Sequence, residues 1–190
     1  MKGSAKHPVR RPRQRGHLAL EMALCFLPLM ALIFGILDFS MVTFIQGAFQ
    51  NATREAVRFG ITYNLTYNGT TYSGQTAVMK AVVQNNGFGF LSGTLSDGST
   101  GLSHISVNYY TPDNLTTPVT SGNLPKTVNG TNITVVNQTG NVVEVKITGY
   151  PWSWMVPLPR FMPGSGMTLA SSSLDVLQGL PDGTFSYPTP

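Results

Sequence analysis

The sequence has few charged residues and a single cysteine. Charged side chains make up 11% of the 190 residues, whereas about a quarter is usual in soluble domains. So low a charge excludes a highly charged disordered tail, a coiled coil and a long helix that binds nucleic acid. One cysteine, Cys25, excludes a disulfide framework and a cysteine zinc site within the chain.

The motifs of enzymes and cofactor sites are also missing from the sequence. The three histidines, His7, His17 and His104, stand apart, and no His-Glu-x-x-His pair is present. Neither a Gly-x-Ser-x-Gly elbow nor a phosphate-binding Gly-Lys-Ser/Thr loop occurs. We therefore expect a protein that is not an enzyme and that holds no cofactor and no metal.

The positive charge is concentrated at the N-terminus. Residues 1–16 contain six of the 12 basic residues and no acidic residue, so the rest of the chain has six basic and eight acidic residues. A nucleic-acid-binding protein spreads its basic side chains over a folded face. We therefore expect no nucleic-acid partner, and interpret residues 1–16 as a basic leader retained on the cytosolic side of a membrane.

A long apolar run follows this leader. Residues 18–37 (LALEMALCFLPLMALIFGIL) contain one charged side chain, Glu21. Twenty helical residues extend roughly 30 Å, the thickness of one hydrocarbon core. The preceding basic residues predict a cytosolic N-terminus and an extracytoplasmic chain after about residue 40. A removed secretory signal is disfavoured, because its apolar core is shorter, about 7–15 residues, and ends at a small-x-small site.

The helical pattern continues beyond the apolar run. Apolar residues recur there at the three- and four-residue spacing of one helix face: Val42, Ile45, Phe49, Ala52, Ala56 and Phe59. Polar residues recur at four-residue steps on the other face: Gln46, Gln50, Arg54 and Arg58. One long helix is therefore predicted over residues 17–60, transmembrane at 18–37 and amphipathic at 38–60, with Gly60 as its end.

Three features inside this helix require an explanation. Pro28 removes a backbone hydrogen bond and predicts a kink, which membrane helices tolerate. Glu21 is an ionisable residue in an apolar span, which costs about 2.5–3.5 kcal/mol near the bilayer centre. It either reaches toward the headgroups or meets a specific partner. Glu55 lies beside Arg54 and Arg58, which predicts an ion cluster on the helix surface.

Several motifs stand in register along this region. They are the basic leader, Arg15-Gly16, Glu21, Leu27-Pro28, Gly35, Asp38-Phe39, and Asn51-Ala52-Thr53-Arg54-Glu55-Ala56-Val57-Arg58. This pattern resembles the start of TadE-like proteins, which are minor pilins or pseudopilins of bacterial tight-adherence pilus systems. The resemblance covers about residues 15–58.

The resemblance implies cleavage by a prepilin peptidase after Gly16, which would leave His17 as the new N-terminus. Glu21 would then be the fifth residue, and its carboxylate would meet the free amine of a neighbouring subunit. The resemblance also implies the inner membrane and other pilins or pilus-assembly proteins as partners. The residues assigned to assembly and helix packing are Glu21, Pro28, Gly35, Asp38, Arg54, Glu55 and Arg58. The family also includes proteins that remain anchored with the leader intact.

Residues 61–190 are rich in Asn, Thr, Ser and Gly, which is typical of a turn-rich exported β domain. The patterns predict a helix at 75–84 and strands at 103–109, 132–136, 142–148 and 167–176, with a hairpin turn at 137–141. The predicted class is α+β and pilin-like: a long N-terminal membrane-spanning helix packed on a small, mostly antiparallel sheet. We expect this domain to be extracytoplasmic.

Residues 151–163 (PWSWMVPLPRFMP) form a proline-rich apolar segment in which the prolines disfavour a regular strand. Exposed Trp152 and Trp154 would suit a partner surface or the membrane interface. Alternatively, the segment covers the core of its own domain.

Two functions follow from these patterns. The first is a non-enzymatic, membrane-anchored TadE-like minor pilin that takes part in the assembly or export of a tight-adherence (Flp-type) pilus. The alternative is a permanently anchored surface protein whose outer domain binds another protein or a glycan.

Overall fold

The fold begins with one very long helix. The computed structural model describes residues 15–120, 127–128, 131–132, 136–154, 167–178 and 190. Helix α1 spans Arg15–Gly60, 46 residues, and continues through Pro28. The single long helix predicted from the sequence is therefore confirmed, and it begins two residues before the predicted start.

A second helix and a small antiparallel sheet follow α1. In chain order the elements are β1 (Thr66–Tyr67), β2 (Thr70–Thr71), α2 (Gln75–Asn86), a 3-10 turn (Gly101–His104), β3 (Ile105–Tyr110), β4 (Thr127–Val128), β5 (Thr131–Asn132), β6 (Val142–Trp152) and β7 (Met167–Val176). The main sheet has the order β3-β6-β7, and both of its strand pairs are antiparallel. The fold is therefore α+β, with a long N-terminal helix and a small sheet domain, as predicted.

The second half of α1 lies at the centre of the core. Ile45, Phe49, Ala52 and Ala56 have no exposed surface, and this part of α1 contacts α2, β6 and β7. The Phe49 ring meets the Tyr150 ring edge-to-face, with 5.0 Å between the centroids. The small alanine side chains let the sheet approach the helix backbone closely. The apolar face predicted from the spacing is therefore the buried face.

Two contacts fix the direction of the sheet along α1. Thr53 Oγ1 lies 3.4 Å from Ser171 Oγ. One helical turn earlier, Phe49 contacts Tyr150, which pairs with Leu169 of β7. Strand β7 thus runs in the same direction as α1. The Met167 end of β7 consequently lies toward the apolar half of α1.

Helix α2 runs back along α1 in the opposite direction. At its start, Gln75 Nε2 donates a 2.6 Å hydrogen bond to the carbonyl oxygen of Gly60. After its end, the Phe88 ring lies 5.8 Å from the Phe44 ring. The loop after α2 and the Met167 end of β7 therefore share one end of the domain, here called the proximal end, nearest the apolar half of α1.

The predicted helix at 75–84 and the predicted strand at 167–176 are confirmed as α2 and β7. The strand predicted at 103–109 begins only at Ile105, because Gly101–His104 forms a 3-10 turn.

The strand predicted at 142–148 extends to Trp152, past Pro151. Gly149 has φ +68 at a register shift between Ile147 and Tyr150, and this bulge brings Pro151 into pairing with Thr168. The expectation that proline bars a strand here was wrong for residues 151 and 152, and residues 155–163 of that segment lie outside the described residues.

The predicted hairpin between strands at 132–136 and 142–148 was wrong. In the described part of the chain, β6 pairs with β3 and β7, whereas β5 pairs with β4. Residues 133–135 lie outside the described ranges. The asparagine-rich turn at 137–141 instead bonds to the chain after β7: Gly140 N donates to Leu177 O at 2.9 Å, and Leu177 N donates to Asn141 O at 2.8 Å.

A buried glutamine joins four parts of the domain. Besides its bond to Gly60, Gln75 accepts a 2.7 Å hydrogen bond from Asn137 Nδ2 and a 3.4 Å bond from the Tyr109 hydroxyl. Gln75 and Asn137 have no exposed surface. Burial raises the pKa of Tyr109 to about 12, so its hydroxyl stays protonated and able to donate at neutral pH. This network ties the end of α1 to α2, β3 and the 137–141 turn.

The variant Gln75→Glu tests this network. A carboxylate cannot donate to the Gly60 carbonyl and would be buried as a charge, so we expect the free energy of unfolding to fall by about 3 kcal/mol at neutral pH. Chemical denaturation of the full chain in detergent micelles measures the change. Gln46→Glu, at an exposed position of α1, is the control and should shift it by less than about 0.5 kcal/mol. Equal effects from the two variants would contradict the network.

Candidate functional site

The N-terminal turn of α1 brings Gly16, His17 and Glu21 together. His17 Nδ1 lies 3.0 Å from Glu21 Oε1, one helical turn away, and the two side chains are 77% and 60% exposed. Between pairs of residues that are both described, this is the single ion pair within 4.0 Å. The carboxylate in the apolar run therefore has a local partner in the uncut chain and remains accessible to another.

The first half of α1 presents an apolar surface that its own domain does not cover. Large hydrophobic side chains are exposed along its whole length: Leu18, Leu20, Met22, Leu24, Phe26, Leu27, Leu29, Leu32, Ile33, Phe34, Ile36 and Leu37. In the described chain, the helix His17–Gly60 is the one element long and apolar enough to cross a membrane. This helix is compatible with a single-pass membrane anchor.

Gly35 and Asp38 occupy contrasting positions on α1. A Cβ placed on Gly35 would meet no atom within 4 Å, so nothing in the domain requires glycine there. Asp38 is 2% exposed, whereas the adjacent Phe39 is 71% exposed. The Asp38 carboxylate is therefore buried in the fold and not on the outer surface of the helix, at the point where the apolar run ends.

The opposite face of the amphipathic half is open to solvent. Gln46, Gln50, Arg54 and Arg58 are exposed, as the four-residue spacing predicted. Glu55 is also exposed, but it makes no ion pair with Arg54 or Arg58 in the described structure. The predicted ion cluster was therefore wrong, because these long side chains extend into solvent, where such a pair contributes little.

Arg54 lines a shallow open cleft between α1 and the sheet. The cleft has a volume of about 390 Å³, and its lining residues are Gln50, Arg54, Lys146, Ala170, Ser171 and Ser172. Two of these side chains are cationic, two carry hydroxyl groups, and none is acidic. Such a lining suits a carboxylate or another anion from a neighbouring molecule.

The two tryptophans have different surroundings. Trp152 is half-buried, packs against the core and pairs with Met167 across the sheet. Its indole nitrogen is buried and has no hydrogen-bond partner in the described structure. Trp154 is 38% exposed. Trp152 thus covers its own domain, whereas Trp154 faces outward.

Sequence reasoning missed an aromatic cluster at the proximal end of the domain. Phe44 lies on α1 outside the predicted apolar face, and its ring contacts those of Phe88 and Phe90, with centroid separations of 5.8 and 6.3 Å. Phe44 and Phe88 are 53% and 67% exposed. The signal in the sequence is Gly87-Phe88-Gly89-Phe90, where two aromatic residues alternate with glycine directly after α2.

Comparison with known proteins supports the resemblance. The model of the TadE-like protein family matches residues 16–58, which run from the predicted cleavage position almost to the end of α1. Residues 16–58 are therefore similar to the TadE-like family, and this similarity suggests involvement in a tight-adherence pilus system and association with a membrane. A search of curated proteins and a search of solved structures gave no match to the chain.

Substitution by glutamine at position 54 or at position 52 tests the assignment of the open and buried faces of α1. Arg54→Gln lies on the open face, and we expect the free energy of unfolding to change by less than about 0.5 kcal/mol. Ala52→Gln, at a position with no exposed surface, should lower it by about 2–3 kcal/mol, because a larger polar side chain enters a filled core. Denaturation of both variants in the same detergent measures the difference. A larger loss for Arg54→Gln than for Ala52→Gln would contradict the assigned faces.

Proposed function

We propose that the protein is a non-enzymatic, membrane-anchored TadE-like minor pilin or pseudopilin that takes part in assembly or export of a tight-adherence (Flp-type) pilus. The observation that supports this most is the continuity of α1. One unbroken helix presents bare apolar side chains in its first half and forms the core of a folded domain with its second half. A helix of this design can serve as an anchor in lipid and as a packing rod between subunits.

Processing by a prepilin peptidase is the first step of the proposed pathway. Cleavage between Gly16 and His17 would remove the basic leader and create an ammonium group on His17. Both residues lie in the first turns of α1, and the His17 side chain is 77% exposed. The bacterial inner membrane would hold the chain until then, as a single-pass protein with a cytosolic N-terminus and an extracytoplasmic domain.

Glu21 would then set the axial position of one subunit relative to the next. A carboxylate in lipid is stable when a cation pairs with it. In the uncut chain His17 lies at 3.0 Å, but the pair is largely exposed, so an ammonium group from an adjacent helix has access to Glu21. Pairing between subunits would fix the axial stagger of neighbouring helices, because the two groups lie near the same end of α1.

Helix packing would use the other assigned residues of α1. The open space at Gly35 allows the close approach of a second helix. Pro28 would permit a local adjustment of the helix, since the backbone bond that it lacks gives α1 a place to bend. Arg54 and Arg58 face outward, and the cationic cleft beside Arg54 would receive an acidic side chain from another pilin or from a pilus-assembly protein.

One observation, the exposure of Trp154, supports a second function. A permanently anchored surface protein would use its outer domain to hold another protein or a glycan, and Trp154 is exposed enough to take part, at 38%. Trp152 supports this function less, because it packs against the core. Under this alternative the leader stays attached and Glu21 has no partner in a second subunit.

The variant Glu21→Gln tests the proposed registration. The amide keeps the size of the side chain but removes its charge, so we expect normal membrane insertion and folding, with a loss of most surface pili. Electron microscopy of cells, with immunoblots of membranes, measures pili and protein level separately. Asp113→Asn removes an exposed carboxylate from the outer domain and should leave pili unchanged. Wild-type piliation in Glu21→Gln cells would contradict the role of Glu21.

A further inference from the structure

Four exposed aromatic residues lie at the proximal end of the domain. Phe39, Phe44, Phe88 and Trp154 are 71%, 53%, 67% and 38% exposed, and we call them the aromatic collar. They come from three separate parts of the chain: α1, the loop after α2, and the residues directly after β6. Exposed aromatic side chains gathered at one end of a domain mark a surface that meets an apolar or interfacial environment.

The positions of these residues follow from the packing. Phe44 and Phe88 are in ring contact at 5.8 Å. Trp154 follows Trp152, which pairs with Met167 at the proximal end of the sheet. Phe39 directly follows Asp38, where the apolar run ends. All four residues therefore lie at the end of the domain from which the bare half of α1 emerges.

The surface of α1 between the apolar run and the collar carries no exposed charge. Asp38 is buried. The hydroxyls of Ser40 and Thr43 donate to helix carbonyls, Ser40 to Ile36 O at 2.7 Å and Thr43 to Phe39 O at 2.9 Å. A hydroxyl that is satisfied within its own helix tolerates an apolar environment. The lipid-compatible surface of α1 therefore continues past Leu37 as far as Phe44.

The length of this surface places Phe44 at a defined depth. Residues 18–44 of a helix extend about 40 Å at about 1.5 Å per residue. The hydrocarbon core of a bilayer is about 30 Å thick, and the headgroup layers bring the total to about 40–45 Å. If this surface spans the whole bilayer, with Leu18 in the inner headgroup layer, Phe44 lies in the outer headgroup layer. Its ring contact places Phe88 beside it.

The backbone at Phe88 supports a role for its exposed ring. Phe88 has φ +51 and Gly89 has φ +81. A bulky residue in the left-handed region is uncommon and energetically unfavourable. Within its own domain the ring is still 67% exposed, so burial does not offset this cost. Contact with a surface outside the domain would offset it.

We propose that the aromatic collar lies in the headgroup layer of the membrane that α1 spans, so that the outer domain rests directly on the lipid surface. Aromatic side chains concentrate in this layer because their rings are apolar and tolerate polar neighbours. The occupant of the surface is lipid because the collar is continuous with the bare apolar half of α1. The inference rests on the membrane anchoring in the proposed function and does not require a role in pili.

Depth-dependent fluorescence quenching tests the proposal on the full chain. The protein has two tryptophans, so Trp152→Phe with Trp154→Phe gives a background without tryptophan. Phe88→Trp in this background places one fluorophore in the collar. Leu174→Trp is the matched control, because Leu174 is 63% exposed and lies toward the other end of β7. Vesicles of phosphatidylcholine and phosphatidylglycerol carry a bromine or nitroxide quencher either near the headgroup or deep in the acyl chain.

We expect the tryptophan of Phe88→Trp to lose most of its emission with the shallow quencher and less with the deep one. The control Leu174→Trp should keep its emission with both quenchers. A third variant, Leu29→Trp, reports on the anchor, because Leu29 lies in the middle of the apolar run, and the deep quencher should reduce its emission. The native tryptophans provide a further test: shallow quenching of the wild-type emission should fall in Trp154→Phe.

The outcomes distinguish membrane anchoring from the position of the aromatic collar. An unquenched Leu29→Trp would overturn membrane anchoring itself. A quenched Leu29→Trp together with an unquenched Phe88→Trp would leave the anchor in place and overturn the collar proposal. Shallow quenching of the wild-type chain that is unchanged by Trp154→Phe would exclude Trp154 from the collar.

Discussion

The packing of the second half of α1 against β6, β7 and α2 is the interaction on which the rest of the structure depends. Phe49, Ala52 and Ala56 have no exposed surface, so the sheet cannot form its core without the helix. The same backbone continues without a break into the apolar half. The apolar half and the domain are therefore joined by one continuous helix, whose second half is stabilised mainly by packing in the domain.

This continuity has consequences for function. A flexible linker would let the domain rotate freely above a membrane, whereas α1 sets its orientation. The surface of α1 stays apolar where the apolar run meets the domain. Asp38 is buried there, and the hydroxyls of Ser40 and Thr43 donate to carbonyls of their own helix. The aromatic collar then adds a second contact with the lipid surface. The polar face with Arg54 stays open to the side, in the direction where another subunit would approach.

The sequence was sufficient for those elements that depend on local periodicity. The spacing of Ile45, Phe49 and Ala52 predicted the buried face of α1. The closing strand predicted at 167–176, to which the family resemblance added weight, is β7 with the observed bounds. The family match confirms the resemblance over residues 16–58, but it says nothing about the sheet domain. The processing and assembly roles of Gly16, His17 and Glu21 stay predictions.

The errors arose where distant residues decide the outcome. Gly149 was the only local sign of the bulge that lets β6 continue to Trp152, and the register shift itself depends on pairing with β7. The 137–141 turn has hairpin composition, but its asparagines are used by Gln75 and by the chain after β7. Phe88 gave no periodic signal, because its position depends on α2 packing against α1. Long-range pairing of this kind is not encoded in a short window of sequence.

The proposed function requires that α1 be a pilin-type helix whose new N-terminus is exposed by removal of the leader. The most direct test is the intact mass of the protein purified from the membranes of its native host. We predict a chain that lacks residues 1–16 and begins at His17. A chain that retains the whole leader would contradict prepilin processing and would leave α1 as a permanent anchor.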